Sequence, residues 1–275
     1  MKKKLESVIL KSLEPILKKI YYFTRNIIYR SNGRDSMLPP KSMIFIGDGD
    51  FEKIGQEFKQ YFIKLAKLQP NNRVLDVGCG IGRMAIPLTD YLSTEGEYWG
   101  FDIAKNGVEW CQNRISKKFG NFNFQHIDVY NKYYNPHGND RAYNFKFPYE
   151  NEFFDFVFLT SVFTHMLPKD MENYMNEISR VLKTGGKCMI TFFLLNEESE
   201  KLLRTGRSSL DFKYKIDGCL TINEEEPEAA IAYNEESVKM FFEKLGLKII
   251  QPIHYGSWCE REIYLSYQDI ILAVK

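Results

Sequence analysis

The feature that most constrains the fold of this chain is a short apolar run that ends in a glycine-rich turn. Residues 74–77 read VLDV and residues 78–83 read GCGIGR. Gly78 and Gly80 allow the backbone to turn tightly and to approach a ligand closely. A helix that begins at Gly82 would present free N–H groups to a carboxylate or phosphate. The pattern therefore predicts a strand, a turn and a helix that form a ligand site at the edge of an α/β sheet.

Strand and helix patterns alternate along the rest of the chain. Strands are predicted at residues 73–77, 98–103, 122–128, 154–160, 187–194, 248–255 and 267–274, and helices near residues 51–68, 82–92, 105–118, 169–182 and 235–245. Alternation of this kind predicts a doubly wound α/β sheet of seven strands. No helix pattern separates the last two strands, so we expect the sheet to end in an antiparallel hairpin.

Acidic residues occur in each of the first three strands. Asp76 lies within the first, Asp102 ends the second at 20 residues past Gly82, and Asp128 ends the third. An acid at the end of the second strand accepts hydrogen bonds from the ribose hydroxyls of an adenosine-containing cofactor. The dinucleotide fingerprint requires a glycine at position 83, where this chain has Arg83. The spacing is Gly-x-Gly-x-Gly instead, which favours a cofactor other than a dinucleotide.

These residues resemble motif I of the class I S-adenosylmethionine-dependent methyltransferases. Residues 154–161 (FDFVFLTS) resemble motif IV of that family. Residues 178–186 (ISRVLKTGG) resemble its turn before the fifth strand, with Thr184 in place of the usual proline. The resemblance covers roughly residues 50–195. It implies a Rossmann-like sheet, S-adenosylmethionine as the cofactor, and transfer of a methyl group.

The resemblance also implies a role for each of these positions. In the family, the motif I acid and glycines surround the methionine part of the cofactor, Asp102 takes the ribose, and Asp128 meets the adenine amino group. The predicted cofactor-binding residues are Asp76, Gly78, Gly80, Gly82, Arg83, Asp102, Ile103, Asp128, Val129 and Thr160. No metal site is predicted.

One histidine follows the fourth strand and is the predicted catalytic residue. His165 lies in residues 161–166 (SVFTHM), where the family often places side chains that face the substrate. It would serve as a general base where the acceptor must lose a proton. The alternative is a histidine that caps the next helix or is bonded to the backbone. Tyr233, Trp258 and Arg261 could shape the pocket, and each fits a core or rim position equally well.

Charge and motifs restrict the acceptor. The chain carries 37 Lys and Arg against 36 Asp and Glu, a formal net charge of +1. A nucleic-acid binder normally has a basic excess. Residues 159–162 read LTSV, without the prolines of the base-modifying methyltransferases. We therefore predict a small organic, sugar or lipid acceptor and no nucleic acid. The alternatives are an NAD(P)-dependent oxidoreductase and a catalytically silent module that binds a membrane or a partner.

The chain divides by charge into two parts. Residues 1–34 contain nine Lys and Arg but only Glu6 and Glu14, and apolar residues recur at helical spacing from Leu5 to Ile27. We predict an N-terminal basic amphipathic helical segment and loop at residues 1–48. The helix either packs on its own domain, which we favour, or contacts a membrane surface peripherally. The methyltransferase domain is predicted at residues 49–275, with insertions near residues 131–148 and 196–233.

Cysteine usage indicates the compartment. The five cysteines are widely spaced and form no CxxC pair, which favours free thiols in a reducing cytoplasm. The oligomeric state is left open by the sequence.

Overall fold

The structure is a computed structural model that describes residues 37–45, 47 and 49–275. The predicted amphipathic helix falls in residues 1–36 and so lies outside the described residues. The predicted division between residues 48 and 49 stays a prediction.

The described part of the chain contains eleven strands and six α-helices. The strands are β1 (Arg73–Val77), β2 (Glu97–Asp102), β3 (Phe122–His126), β4 (Phe154–Leu159), β5 (Leu182–Phe192), β6 (Leu194–Leu195), β7 (Tyr214–Ile216), β8 (Cys219–Thr221), β9 (Ile231–Asn234), β10 (Lys248–His254) and β11 (Asp269–Val274). The helices are α1 (Phe51–Lys64), α2 (Ala85–Leu88), α3 (Lys105–Cys111), α4 (Pro168–Val181), α5 (Glu197–Leu203) and α6 (Glu235–Lys244).

Seven of the strands form one sheet in the order β10-β11-β5-β4-β1-β2-β3. β1 pairs in parallel with β2 and β4, so the carboxyl ends of these three strands lie at the same edge. β11 runs antiparallel to both β5 and β10. The predicted seven-stranded Rossmann-like sheet with an antiparallel final hairpin is therefore confirmed.

The central strands are apolar because both faces of the sheet are covered. Val74, Leu75 and Val77 in β1 have no exposed surface, and five of the six residues of β4 are also apolar and fully or almost fully buried. Continuous apolar strands are typical of a parallel sheet between two helical layers. Among the described residues, no helix has the length and apolar character that crossing a membrane requires.

The helices near the glycine turn are shorter than predicted. The helix predicted at residues 82–92 is regular only over α2, Ala85–Leu88. Pro87 lacks the backbone N–H that a longer helix needs. The helix predicted at residues 105–118 is α3 followed by a π-helical turn, Gln112–Ser116. β5 begins at Leu182, five residues earlier than predicted, because Leu182 pairs with Phe154 of β4.

The two predicted insertions meet each other above the carboxyl edge of the sheet. Residues 196–233, which lacked a strand pattern, build most of a second sheet of four strands in the order β6-β9-β8-β7. Residues 131–148 hold a 3₁₀ turn, Ala142–Asn144, and a short bridge between Asn131 and Asn135. Lys132 Nζ lies 2.8 Å from Glu226 Oε1, so the two insertions are in direct contact.

Candidate active site

A cavity of about 770 Å³ opens at the carboxyl edge of the sheet. Pockets for small ligands span roughly 300–1,000 Å³, so this volume suits a cofactor and a small second molecule. The strand ends, the glycine turn and both insertions contribute to its walls. The predicted site residues that line it are Asp76, Gly78, Gly80, Arg83, Asp102, Ile103, Val129, Thr160 and His165. Gly82 and Asp128 are not among the lining residues.

The glycine turn needs glycine for two different reasons. Gly78 and Gly82 have φ angles of 84° and 80°, in the region that side chains rarely adopt. A Cβ on Gly78 would lie 2.4 Å from Cγ2 of Val162, which also lines the cavity. A Cβ on Gly82 would lie 2.8 Å from Cδ1 of Ile115, in the turn after α3. The lack of a side chain at Gly78 therefore leaves the cavity open for a ligand. At Gly82 it allows the segment after α3 to pack closely against the glycine turn.

The Asp102 carboxylate is fixed at the end of β2 by backbone donors. Its Oδ2 accepts a hydrogen bond of 2.7 Å from the Gly80 N–H, and its Oδ1 accepts one of 2.7 Å from the Ala104 N–H. Burial raises the pKa of Asp102, and these backbone bonds oppose the shift. Each oxygen of a carboxylate can accept a second hydrogen bond. The geometry thus fits the paired hydroxyls of a ribose.

The Asp76 carboxyl is buried with one oxygen left unpaired. Tyr98 donates its hydroxyl to Asp76 Oδ2, and Asp76 Oδ1 has no hydrogen-bond partner among the described residues. Burial raises the pKa of Asp76 to about 8, and the bond from Tyr98 partly opposes the shift. A buried unpaired oxygen on a cavity wall indicates a missing donor. The ammonium group of the methionine part of S-adenosylmethionine fits this position, because a cation favours the ionised carboxylate.

This pairing predicts that cofactor affinity depends on pH. An ammonium group at Asp76 lowers the pKa from about 8, so binding releases a proton. We expect the affinity for S-adenosylhomocysteine to rise from pH 6 to pH 8, by up to about tenfold per pH unit. Isothermal titration calorimetry in buffers of different ionisation enthalpy measures both the affinity and the released proton. In Asp76→Asn the proton release should disappear, and a pH-independent affinity of the wild-type protein would contradict the assignment.

The structure does not bring Asp128 to the cavity. Its Oδ1 accepts a hydrogen bond from Asn135 Nδ2 at 3.2 Å, and its Oδ2 accepts one from Asn139 Nδ2 at 2.6 Å. These bonds hold the pKa of Asp128 below its usual value. Successive side chains of an extended segment point to opposite sides, and here Ile127 and Val129 face the cavity. The predicted contact of Asp128 with adenine is therefore not supported by this geometry.

The hydrogen bond and the burial of His165 determine its tautomer and its charge. It ends a 3₁₀ turn, Phe163–His165, and its Nδ1 lies 3.0 Å from the backbone carbonyl oxygen of Glu228. Because a carbonyl can only accept, Nδ1 carries the hydrogen, and in the neutral ring Nε2 keeps its lone pair. Burial lowers the pKa of His165. The side chain is therefore neutral at pH 7 and able to accept a proton at Nε2.

Of the alternative interpretation of His165, the structure shows the bond to the backbone but not the helix cap. α4 has Leu167 at its N-cap, and within the described part of the chain no side chain caps that end. The hydrogen bond of His165 crosses to residue 228 in the second insertion. His165 is thus tied to a cavity wall and not to the helix that follows it in sequence.

Several lining residues carry no local sequence signal. Ser161 has a φ angle of 59°, a strained conformation for a residue with a side chain, and its hydroxyl lies 3.1 Å from Oε1 of Gln268. Both residues line the cavity. Gln268 is 107 positions away in the chain, so only the folded sheet brings the pair together.

The cavity lining also combines apolar and acidic side chains. Apolar side chains come from the residue after β5, the second insertion and the segment before β11, and they include Phe193, Leu210, Ile222, Ala230 and Tyr267. Asp170 and Glu228 also line the cavity. Burial raises the pKa of both carboxyls, and for Glu228 the nearby Asp170 adds to the effect.

Three residues considered for the pocket belong to the core instead. Tyr233 donates its hydroxyl to the carbonyl of Met166. Trp258 Nε1 donates to Asp269 Oδ2 at 2.7 Å, and Arg261 Nη1 donates to Asp269 Oδ1 at 3.1 Å. None of Tyr233, Trp258 and Arg261 is among the residues that line the cavity of the described chain. Trp258 and Arg261 tie the segment after β10 to β11, and Tyr233 ties β9 to the segment before α4.

Comparison with known proteins supports the interpretation of this chain as a methyltransferase. The profile of a family described as "Methyltransferase domain" matches residues 68–231. A tRNA N(3)-cytidine methyltransferase of Gallus gallus is 25% identical over 201 residues, which are 72% of this chain and 49% of the relative. A demethylmenaquinone methyltransferase of Bacillus pumilus is 29% identical over 131 residues, 48% of this chain and 49% of the relative. The chain thus spans about half the length of these curated relatives.

Solved structures share the fold. The PH0226 protein of Pyrococcus horikoshii superposes with a TM-score of 0.56 at 17% identity, over 85% of this chain and 94% of that one. The magnesium protoporphyrin IX methyltransferase of Synechocystis, solved with bound S-adenosylhomocysteine, gives a TM-score of 0.52 at 15% identity, over 95% of this chain and 99% of that one. At these identities the likeness concerns the architecture of the sheet and its helices.

Proposed function

Because this chain belongs to the class I S-adenosylmethionine-dependent methyltransferases, we propose that it methylates a small organic molecule bound beside the cofactor in the cavity. The match of residues 68–231 to a methyltransferase domain excludes the oxidoreductase alternative. The single observation that carries the proposal is the bond from His165 Nδ1 to the Glu228 carbonyl. It leaves a proton acceptor, Nε2, in the same cavity as the motif I residues.

The residues of the glycine turn and the strand ends would hold the cofactor. Asp102 offers its carboxylate to the ribose, Asp76 Oδ1 to the ammonium group, and Gly78 leaves room for close approach. When bound, S-adenosylmethionine supplies an electrophilic methyl group on a sulfonium. The cavity walls have to hold the acceptor atom in line with that methyl, at roughly 3–3.5 Å.

His165 would remove the proton of the acceptor. Its neutral state at pH 7 and its fixed Nδ1 hydrogen make Nε2 the basic atom. Asp170 and Glu228 add carboxyl groups to the same cavity, whose lining holds five carboxyl side chains against two arginines, Arg83 and Arg141. This balance disfavours an anionic acceptor. The apolar wall that includes Phe193 and Ile222 contacts a carbon skeleton. We therefore propose a neutral or amine-bearing acceptor with an O–H or N–H group.

A tRNA acceptor is the competing possibility, because the Gallus gallus relative is a tRNA methyltransferase. Residues 224–228 carry four glutamates, and Glu228 lines the cavity. Phosphate backbones bind to Lys and Arg clusters and are repelled by carboxylates. This charge favours the small acceptor over tRNA.

Label transfer tests the proposal directly. The protein is incubated with methyl-labelled S-adenosylmethionine and either a low-molecular-mass cell extract or purified tRNA. We expect label in the small-molecule fraction with the wild-type protein and a large loss of that label with His165→Gln. Label that enters tRNA alone would overturn the proposed acceptor class.

Replacing Asp102 with alanine should weaken cofactor binding strongly. The ribose hydroxyls lose a charged partner, which is worth about 1.5–3 kcal/mol, or about 10–100-fold in the dissociation constant for S-adenosylhomocysteine. Asp128→Ala is the matched control, because the carboxylate of Asp128 faces Asn135 and Asn139. Calorimetry that shows weaker binding in Asp128→Ala and unchanged binding in Asp102→Ala would reverse the two assignments.

We propose that the protein is located in the cytoplasm. All five cysteines are free and buried, which supports the proposed cytoplasmic location. Peripheral membrane contact through the N-terminal segment is retained as a proposal. Salt-sensitive binding of the full-length chain to anionic vesicles, lost on deletion of residues 1–30, would support it and would overturn our preference for a packed helix.

A further inference from the structure

The two insertions are joined by a small polar contact outside the cavity. Glu226 accepts a hydrogen bond from Lys132 Nζ at 2.8 Å through Oε1, and another from the Tyr133 hydroxyl through Oε2. We refer to Lys132, Tyr133 and Glu226 as the insertion clamp. None of the three is among the residues that line the cavity of the described chain. The clamp therefore has no direct contact with the ligands proposed above.

Glu226 of the insertion clamp lies two residues before Glu228, whose carbonyl determines the tautomer of His165. Residues Pro227–Ala229 form a 3₁₀ turn directly after Glu226, and the Ala229 N–H donates to the Glu226 carbonyl at 3.0 Å. The carbonyl of Glu228, in the middle of this turn, accepts the hydrogen of His165 Nδ1. A displacement of Glu226 therefore moves the acceptor of that bond.

The same turn is anchored at two further points. Thr221 Oγ1 donates to the carbonyl of Pro227 at 2.8 Å, which ties the turn to β8. Asn131 Nδ2 lies 3.4 Å from Glu228 Oε1, a long contact on the side of the first insertion. Of the polar links between residues 226–229 and residues 131–134, the insertion clamp is thus shorter than the contact of Asn131 with Glu228.

We infer that Glu226 is a positioning residue, which holds the Glu228 carbonyl against His165 by clamping the second insertion to the first. With the carbonyl in place, the hydrogen stays on Nδ1 and Nε2 is the basic atom. Without it, the ring can carry its hydrogen on either nitrogen and can turn away from the acceptor. The inference rests on the proposed function only in taking His165 as the base.

The tautomer of His165 provides a readout that needs no acceptor molecule. Long-range ¹H–¹⁵N NMR spectra of the full-length protein distinguish Nδ1–H from Nε2–H in each of its four histidines. His165→Gln assigns the signal. We expect a single Nδ1–H form in the wild-type protein and a mixture of both forms in Glu226→Ala. The bond to the Glu228 carbonyl raises the pKa of His165 against the larger, opposite effect of burial, so loss of the bond in that variant should lower the pKa further.

Two further variants test whether a change in the His165 tautomer comes from the loss of the insertion clamp or from a general loss of surface charge. Asp211→Asn breaks an exposed ion pair of 2.7 Å with Lys213 in the same insertion, away from residues 131–134, and should leave the wild-type tautomer unchanged. The charge-swapped double variant Lys132→Glu with Glu226→Lys should restore the single Nδ1–H form of His165. Calorimetry with S-adenosylhomocysteine should show the same affinity in all variants, which confirms that each is folded.

A single Nδ1–H form in Glu226→Ala overturns the inference, and so does a mixture that also appears in Asp211→Asn. A mixture confined to Glu226→Ala and reversed by the charge swap supports it. Label transfer to the small-molecule fraction should then fall by about fivefold in Glu226→Ala, the scale expected for an exposed ion pair. An altered tautomer with undiminished transfer would contradict the proposed role of His165 as the base, and would leave the positioning inference supported.

Discussion

Replacing His165 with glutamine should reduce kcat by about 10²–10⁴-fold, the usual contribution of a positioned general base. Glutamine can still donate a hydrogen bond to the Glu228 carbonyl, but it offers no basic nitrogen. Affinity for S-adenosylhomocysteine should stay unchanged, because His165 contacts the second insertion and not the motif I residues. Steady-state methyl transfer and calorimetry measure the two quantities separately.

The pH profile provides an independent check on the same residue. Burial lowers the pKa of His165 from its ordinary value of about 6.5, so the base is free throughout the neutral range. We expect kcat to be constant near neutral pH and to decrease only as the pH falls through this lowered pKa. His137→Gln, which alters an exposed histidine in the first insertion, is the control and should retain full activity. Undiminished kcat in His165→Gln would remove this residue from the mechanism.

Replacing Gly78 with alanine should weaken cofactor binding by at least about a hundredfold. The new methyl group is strained at a φ of 84° and would lie 2.4 Å from Val162 Cγ2, which forces Val162 into the cavity. The strained backbone lowers the stability by about 1–3 kcal/mol, and the loss of binding comes from the displaced side chain, which occupies ligand space. Thermal shift and calorimetry with S-adenosylhomocysteine measure the loss.

Gly218→Ala is a closely matched control for this prediction. Gly218 has a φ of 83°, and a Cβ there would meet no atom within 4 Å among the described residues. It lies in the tight turn between β7 and β8, away from the cavity. Both variants carry the same backbone strain, so both should lose some thermal stability. Only Gly78→Ala should lose cofactor binding, and equal cofactor affinity in the two variants would contradict the role of Gly78.

Several parts of the site follow from local sequence patterns. The apolar strand and glycine turn at residues 74–83 identify the strand, the turn and the ligand edge, because tight turns at positive φ require glycine. Asp102 is found by its distance along the chain from Gly82, since a βαβ unit of ordinary length brings the end of its second strand beside the first turn. Both signals concern residues close together in sequence, and pattern analysis detects such relations.

Asp128 and His165 show where local patterns stop being informative. The sequence predicts that Asp128 ends the third strand and contacts a ligand, yet β3 ends at His126, and Asn135 and Asn139 of the insertion bind the Asp128 carboxylate. The state of His165 depends on a carbonyl 63 residues later in the chain. Backbone carbonyls occur at every residue, so no residue type marks the one that His165 meets.

The sequence by itself determined the sheet, its final hairpin, the glycine turn, and the residue types placed at the strand ends. Each of these depends on apolar periodicity or on backbone angles that few residue types allow. Only the tertiary structure decided the shape of the acceptor space, the pairing of Tyr98 with Asp76, and the contact between the two insertions. These features depend on hydrogen bonds and packing between segments that are distant in the chain. Only the folded structure brings such segments into contact.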